Sequence, residues 1–313
     1  MTTDPSRTSF RSNLFNVKLA RRHLTGSIFG IVALLGALVG VAVLIIMLVE
    51  VWRDGIRYFR LEFLDLFPSR KPDQAGFKSA FWGSLWVIGT TAMIAFPVGV
   101  SAAIYLEEYA PKNWITKILQ TNISNLAGVP SIVYGLLGLQ IFVRGTIGVG
   151  PSLEDLGLND FGRSVLTGGL TLALLILPVV IVASQESLRA VPPSIREASY
   201  GVGATRWQTV RHHVLPEALP GVMTGTILAL SRAIGETAPL ITIGALTFVA
   251  FTPEHLLDDF TVMPIQIYNW AARPQHDFQD LAATGIMVLL IALLAMNAIA
   301  VSLRYRFGHG NGR

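Results

Sequence analysis

The sequence predicts an all-α membrane protein with about six transmembrane helices and both termini in the cytoplasm. Its composition is the first reason: 52% of the 313 residues are hydrophobic and 14% are charged, whereas a soluble domain has about 25% charged residues. The mean hydropathy is accordingly positive, at +0.54. The second reason is that the apolar residues are gathered in stretches of about 20, the length that crosses a bilayer. This composition excludes a soluble enzyme with one core and a water-facing surface.

Several residue types and patterns are missing, and this limits the chemistry. The chain contains no cysteine, which excludes disulfides, a thiolate nucleophile and a Cys-ligated metal site. It lacks the pattern G-x-x-x-x-G-K-[ST] of a phosphate-binding loop, so we expect it to bind no ATP or other cofactor itself. The net charge of +4 does not indicate nucleic-acid binding. We also expect no metal site, because the adjacent His212 and His213 point about 100° apart on a helix.

Six stretches are long and apolar enough to span a bilayer. The first is too long for the core of a signal peptide and no cleavage-like site follows it, so we expect it to be retained. The third contains Gln120, Asn122 and Pro130, which predict that it is broken or partly sheltered from lipid. The six stretches are Ser27–Trp52, Ser79–Leu106, Ile115–Val143, Ser164–Ala183, Pro220–Ala250 and Leu281–Leu303.

Basic residues predict which side of the membrane each connecting segment occupies. The segments on the side of the termini carry 14 Lys and Arg against 6 Asp and Glu, and the other segments carry 9 against 12. The more basic side is predicted to be cytoplasmic, although the opposite segment 53–78 alone carries six basic residues. The resulting parts are a cytoplasmic segment 1–26, a first helix with an outer loop 27–78, a five-helix core 79–305 and a cytoplasmic tail 306–313.

Glycine pairs with the spacing GxxxG occur in two of the predicted helices. This spacing lets two helices approach closely in a membrane, although chance alone explains it equally well in a chain with 29 glycines. The pairs are Gly26 with Gly30, Gly36 with Gly40, and Gly221 with Gly225.

The longest connection on the predicted cytoplasmic side, residues 185–219, has the pattern of two short helices. Ser194 with Glu197, and Thr205 with Gln208, each have the spacing of a capping box at a helix start. We expect a first helix from Ile195 to about Tyr200, a glycine turn, and a second helix that ends before Pro216. Such a helix pair is either a docking surface or an ordinary solvated hairpin.

The fifth stretch contains a charge pair far from either of its ends. Arg232 lies about 20 Å into the stretch, and Glu236, four residues on, shares its helix face. Because Pro239 cannot donate to the carbonyl of Gly235, we expect the helix to bend there. A guanidinium fork matches two oxygens of an oxyanion, so Arg232, Glu236, Thr237 and Pro239 are candidate substrate-pathway residues. A structural ion pair between helices is the alternative.

Residues of the 185–219 loop resemble the EAA loop of ABC importer permeases. The match consists of Glu197-Ala198-Ser199, then Gly203, then Leu215-Pro216, with departures at Ser199 and at His213, which stand for alanine and isoleucine. The resemblance implies that these six residues couple the chain to an ATP-hydrolysing subunit in another chain, which binds and hydrolyses ATP with Mg. The loop therefore acts as a coupling-helix loop on this interpretation.

A wider resemblance narrows the family. Residues 231–240, SRAIGETAPL, resemble a segment of the PstA family, the A-type permease subunits of phosphate-specific ABC importers, as do residues 128–136, 264–270 and 277–282. This resemblance implies import of inorganic phosphate across the cytoplasmic (inner) membrane of a prokaryote, with this chain embedded in the membrane lipid. The implied partners are a second permease of the PstC type, a PstB-type ATPase dimer and a PstS-type phosphate-binding protein. Sulfate or molybdate is the alternative substrate.

Other functional classes fit the sequence less well. A membrane-embedded enzyme needs a base and a nucleophile within the spans, and no predicted span contains Asp or His. A structural scaffold has no need of Arg232 at its predicted depth.

Two outer segments suggest a landing surface for the binding protein. This hypothesis rests on their aromatic residues Phe59, Phe63, Phe67, Tyr268 and Trp270. The acidic residues around Asp258 are more easily explained as a solvated loop than as a cation site.

Overall fold

The computed structural model of the chain describes residues 19–145, 161–245 and 248–308, and the secondary structure in these ranges is helical. The helices, in chain order, are α1 Leu19–Gly55, α2 Lys78–Ile104, α3 Trp114–Leu126, α4 Ser131–Gly138, α5 Val165–Arg189, α6 Pro193–Gly201, α7 Arg206–Thr209, α8 Leu215–Gly235, α9 Ala238–Thr242, α10 Met263–Ala271 and α11 His276–Gly308. Single π turns extend three of them: Tyr105–Tyr109 after α2, Leu139–Val143 after α4 and Val210–Val214 between α7 and α8.

Five helices in the described part of the chain are long and apolar enough to cross a membrane. A sixth crossing is made if α3 and the helix from Ser131 to Val143, which meet at 101°, count as one broken span. The prediction of an all-α protein with about six spans is therefore confirmed. The sidedness of the termini stays a prediction from the basic residues.

The chain forms two compact units, residues 1–53 and residues 54–313. In the first unit the described residues belong to α1, an apolar helix from Leu19 onward. The second unit contains the remaining helices and the packed core.

The centre of the second unit is formed by α2, α5 and α8. Small residues allow these helices to touch: a Cβ on Gly169 of α5 would clash with Thr90 of α2, at 2.5 Å from its Cγ2. The hydroxyl of Thr91 donates across the same interface to the Gly169 carbonyl, at 3.2 Å. Gly221 and Gly225 of α8 lie against Ser187 and Ala183 of α5, so this GxxxG pair marks a real helix contact.

The predicted break in the third span is confirmed between α3 and α4. Pro130 takes an extended conformation (φ −54°, ψ 134°) directly before α4. The hydroxyl of Tyr134 donates to the carbonyl of Leu126, at 2.8 Å, and so ties the two helices together across the break. Tyr134 is buried in the core cluster, which shows that it packs and does not line an open cavity.

The prediction of one fifth helix that only bends before Ala250 is wrong. Helix α8 ends at Gly235, Glu236 is extended (φ −76°, ψ 123°), and the short helix α9 starts at Ala238. Pro239 lies in the first turn of α9, where a missing N–H leaves no helical bond unmade. The proline thus starts a new helix and does not kink an old one.

The aromatic residues of the two outer segments mainly build a core. The ring centroids of Phe63, Phe77 and Trp270 lie 5.4–5.8 Å from one another, and all three side chains are buried. The landing-surface hypothesis is therefore wrong for Phe63 and Trp270. Phe59 and Tyr268 remain exposed, at 44% and 62%.

The acidic segment near Asp258 forms a turn. The Asp258 carboxylate accepts hydrogen bonds from the backbone N–H groups of Glu254 and His255, at 2.8 and 2.9 Å. These bonds hold the pKa of Asp258 below its ordinary value of 3.8. The backbone N–H of Val165 bonds to the Asp258 carbonyl, so the turn braces the start of α5.

Candidate functional site

Two regions contain the residues that the sequence singles out. We call residues Arg232, Glu236, Thr237 and Pro239 the helix-break site, and residues 185–219 the coupling loop. The first region lies at the end of α8, and the second runs from the end of α5 to the start of α8.

Arg232 lies in the last turn of α8, where the negative end of the helix dipole favours a cation. Its Nε donates to Oε1 of Glu236 at 3.2 Å. The Arg232 side chain is 52% exposed and the Glu236 side chain 18%. The carboxylate therefore holds the guanidinium through Nε, and about half of the arginine side chain remains exposed.

The break after Gly235 sets the positions of Glu236 and Thr237. The backbone N–H of Glu236 bonds to the carbonyl of Ala233 at 3.2 Å, and the carbonyl of Thr237 accepts from Ile241 at 3.0 Å. Both residues are half-buried. The sequence predicts Glu236 one turn after Arg232 on a continuous helix. In the structure the ion pair is present, but the helix ends at Gly235 and the backbone of Glu236 is extended.

Pro239 is buried, and its surroundings explain why α4 and α9 pack together. Gly135 of α4 lies directly against Pro239 and Thr242 of α9, and a Cβ at that position would clash with both. The broken third span and the broken fifth stretch therefore meet face to face. In secondary transporters, interrupted helices of this kind form the substrate site.

Sequence reasoning missed Asn297 of α11. The hydroxyl of Ser231 lies 2.6 Å from Oδ1 of Asn297 and 2.8 Å from the carbonyl of Ile227. This contact ties α8 to α11 one residue before Arg232. The signal was a single amide inside the apolar stretch Leu281–Leu303.

The coupling loop contains two helices, and their ends differ in part from the prediction. Pro192 precedes α6, no side-chain cap is present there, and Pro193 is its first residue, so the Ser194 capping box is wrong. Prolines favour a helix start by fixing φ, which removes the need for the serine cap. The Thr205–Gln208 capping box is confirmed, with bonds of 3.3 and 2.8 Å.

The second loop helix does not end before Pro216, contrary to the prediction. Residues Arg206–Gly235 form one continuous helix that passes through the π turn Val210–Val214. Pro216 has no N–H to donate to a preceding carbonyl, and the wider turn directly before it accommodates this loss. Leu215 and Pro216 are half-buried. They are the first residues of α8, so no non-helical segment separates the second loop helix from α8.

The loop presents one face and fixes the other. Glu197, Ala198 and Gly203 are exposed, whereas Ser199 is buried with its hydroxyl 2.9 Å from that of Thr209. This bond clamps α6 to α7. Gly203 has φ +85°, a conformation that side chains disfavour, and it turns the chain between the two helices.

Large apolar side chains of the same loop are also exposed. Tyr200 is 43% exposed, Trp207 58% and Val202 86%. Aromatic residues at an exposed site of this kind are typical of a protein–protein interface.

The structure also shows which residues fasten the loop, and sequence reasoning missed them. Arg196 forms an ion pair with Glu108 at 2.7 Å, and Arg189 forms one with Glu107 at 2.9 Å. Both carboxylates lie in the π turn that ends α2. The signal was a Glu-Glu pair directly after an apolar span, but its partners are more than 80 residues away.

No group of three or more His, Asp or Glu residues that could hold a metal ion is present in the described ranges. His212 and His213 lie exposed in the π turn before α8.

The family model for binding-protein-dependent transport system inner membrane components matches residues 95–309. This match covers both broken spans, the coupling loop and the helix-break site. The chain belongs to this family. It is therefore the permease subunit of an ABC importer, a multi-pass membrane component that is not an enzyme by itself. The resemblance to the PstA family is also confirmed by relatives. The phosphate transport system permease protein PstA 1 of Mycobacterium tuberculosis is 33% identical over 75% of this chain and 73% of its own length.

Other relatives include a permease whose name states no substrate and a second phosphate permease. The probable ABC transporter permease protein YqgI of Bacillus subtilis is 29% identical over 91% of this chain and 95% of its own. The phosphate transport system permease protein PstC of Haemophilus influenzae is 29% identical over 87% and 88%. Among solved structures, the permease fold of a bacterial alginate ABC transporter aligns with a TM-score of 0.64 at 16% identity, over 92% of this chain and 96% of that chain.

Proposed function

We propose that this chain is a transmembrane permease subunit of an ATP-driven ABC importer for inorganic phosphate, and that it forms half of the translocation pathway. The observation that carries the proposal is the Arg232–Glu236 pair at the end of α8, beside an opened backbone and two interrupted helices. The planar guanidinium offers a phosphate ion two parallel hydrogen bonds. Several relatives named as phosphate permeases support this substrate.

Glu236 has two roles in this proposal. It holds Arg232 in place, and it reduces the positive charge so that the anion leaves as readily as it enters. A protonated phosphate also donates a hydrogen bond that Glu236 accepts, which sulfate cannot do. Another oxyanion such as sulfate or molybdate is the second candidate, because an arginine fork matches any of them and the name YqgI states no substrate.

The transport cycle needs other chains. We infer a second, PstC-type permease that completes the pathway, a PstB-type ATPase dimer that binds and hydrolyses ATP with Mg, and a PstS-type binding protein that delivers phosphate. This chain binds neither ATP nor Mg in the proposal. The binding protein releases phosphate into an outward-open cavity, ATP-driven motion of the coupling loop rocks the spans, and the helix-break site then faces inward.

The coupling loop docks to the ATPase in this proposal, through Glu197, Ala198, Ser199, Gly203, Leu215 and Pro216. Its exposed Glu197 and the aromatic residues Tyr200 and Trp207 supply a charge and two large contact surfaces. The loop and both termini lie on the cytoplasmic side of the inner membrane of a prokaryote, as the positive-inside rule predicts.

Uptake by whole cells tests the substrate. Phosphate-starved cells that lack this chain are given radiolabelled phosphate, sulfate or molybdate, with and without the wild-type gene. We expect the gene to restore uptake of phosphate and to leave the other two unchanged. Restored uptake of sulfate or molybdate alone would agree with the assignment as a permease but would overturn the phosphate assignment.

A further inference from the structure

The feature that the proposed cycle leaves unused is a buried ion pair between the coupling loop and the end of α2. Glu108 is 8% exposed, and the Arg196 side chain is 20% exposed. Their closest atoms, Nη2 of Arg196 and Oε1 of Glu108, are 2.7 Å apart. A charge in such a place is costly without a partner, so each residue fixes the position of the other.

Arg196 joins three elements at once. Its Nε and Nη2 donate to Glu108 at the end of α2, at 3.1 and 2.7 Å. Its Nη2 also donates to the carbonyl of Leu188 in α5, and its Nη1 donates to that of Val191, both at 2.8 Å. The side chain starts from α6. A displacement of α6 therefore moves the guanidinium of Arg196 and pulls on its partners at the ends of α2 and α5.

Two neighbouring residues of the same π turn also contact arginines. Glu107 pairs with Arg189 at 2.9 Å, and Cζ of the Arg206 guanidinium lies over the Tyr109 ring, 5.6 Å from its centroid. Successive residues of a helical turn point in different directions. Glu107 and Glu108 can therefore hold arginines from two different elements, while Tyr109 meets a third.

We propose that Glu108 is a positioning residue that passes the motion of the coupling loop to α2. The step rests on the proposed function, in which the ATPase moves α6 and α7. Because Arg196 donates two hydrogen bonds to the buried Glu108 and two more to the carbonyls of Leu188 and Val191, a shift of α6 pulls on the π turn Tyr105–Tyr109. The exposed Glu107–Arg189 pair is more fully hydrated, and a pair of this kind contributes little.

The test compares two adjacent substitutions in the complete importer. E108Q removes the buried charge, and E107Q is the matched control in the same turn. The complexes are reconstituted in proteoliposomes with the binding protein, and the amount of phosphate moved per ATP hydrolysed is measured. We expect E108Q to lower this ratio by about 2- to 30-fold while the ATPase subunits still co-purify, and E107Q to stay close to the wild type.

A covalent replacement of the ion pair tests the mechanical role. The chain has no cysteine, so E108C/R196C introduces the only two thiols into it, and a reducible bifunctional thiosulfonate bridges them. We expect the bridge to restore the transport ratio and its reduction to abolish it again. If E108Q fails to assemble, the bridged E108C/R196C variant still tests the mechanical role of the pair. An unchanged ratio in E108Q, or no restoration by the bridge in an assembled complex, would overturn the proposal.

A second readout separates this inference from the substrate assignment. Met93 lies in the middle of α2 and is 80% exposed, so a nitroxide spin label on M93C reports the motion of α2 without any substrate. We expect its spectrum to change between ATP and vanadate-trapped ADP in the wild type, and not in E108Q. If the wild type moves no phosphate, the substrate assignment is wrong, and an equal spectral change in E108Q would overturn the link independently.

Discussion

At the residue scale, the depth predicted for Arg232 calls for a counter-charge, because an arginine inside a bilayer costs at least about 2.5–3.5 kcal/mol. Glu236 supplies that charge at 3.2 Å. The pair leaves Arg232 half-exposed and Glu236 mostly covered, so the two residues are not equivalent. In the proposed function the arginine meets the ligand, and the glutamate holds the arginine.

Gly203 is the residue whose backbone the coupling loop depends on most directly. With φ +85°, replacement by alanine is expected to cost about 1–2 kcal/mol and to shift the turn between α6 and α7. Thermal unfolding of the purified complex measures the cost, and co-purification of the ATPase measures the docking. Gly201→Ala is the control, because Gly201 ends α6 with open space around it. Equal loss in both variants would contradict this explanation.

At the element scale, the end of a helix can be predicted from the sequence where one capping pattern is present and no competing signal lies beside it. The Thr205–Gln208 box could be predicted because no proline interferes with it. The Ser194 pattern failed because Pro192 and Pro193 set the backbone of α6 themselves. The end of the second loop helix failed because a π turn, which the sequence pattern does not indicate, lets the helix run on through Pro216.

The two capping patterns give a matched pair of variants. Thr205→Ala removes the hydroxyl that accepts from the Gln208 N–H and is expected to destabilise α7 by about 0.5–2 kcal/mol. Ser194→Ala removes no cap bond from α6 and is expected to leave stability close to that of the wild type. Thermal unfolding in detergent measures both. A larger loss in Ser194→Ala would show that the assigned caps are wrong.

The turn at Asp258 predicts a dependence on pH. Its pKa is lowered by the backbone N–H groups of Glu254 and His255, so the carboxylate stabilises the fold at neutral pH and loses this contribution as the pH falls below 3.8. Asp258→Asn is therefore expected to be less stable than the wild type at neutral pH, and the difference is expected to shrink in acid. A difference that stays constant down to the acid limit would contradict this origin.

At the scale of the whole molecule, two interrupted helices meet through Gly135 and Pro239, and this arrangement has no simple signal in the sequence. The spans, the broken third span and the Arg232–Glu236 pair could be predicted, because hydropathy and helical spacing are local properties. The Glu108–Arg196 pair and the Ser231–Asn297 contact could not, because their partners lie 88 and 66 residues apart. Because each contact joins elements that are distant in the sequence, the two contacts link the coupling loop and α11 to the helices around the site.

The most direct test of Arg232 as a phosphate-pathway residue is uptake of radiolabelled phosphate by phosphate-starved cells that lack this chain, restored with the wild type or with Arg232→Leu. Both proteins must be present in the membrane in equal amounts, and Arg232→Lys serves as the variant that keeps the charge without the fork. We predict that the wild type restores uptake, that Arg232→Leu does not, and that Arg232→Lys restores only part of it. Equal uptake by the wild type and Arg232→Leu would show that the arginine is structural and would contradict the assigned site.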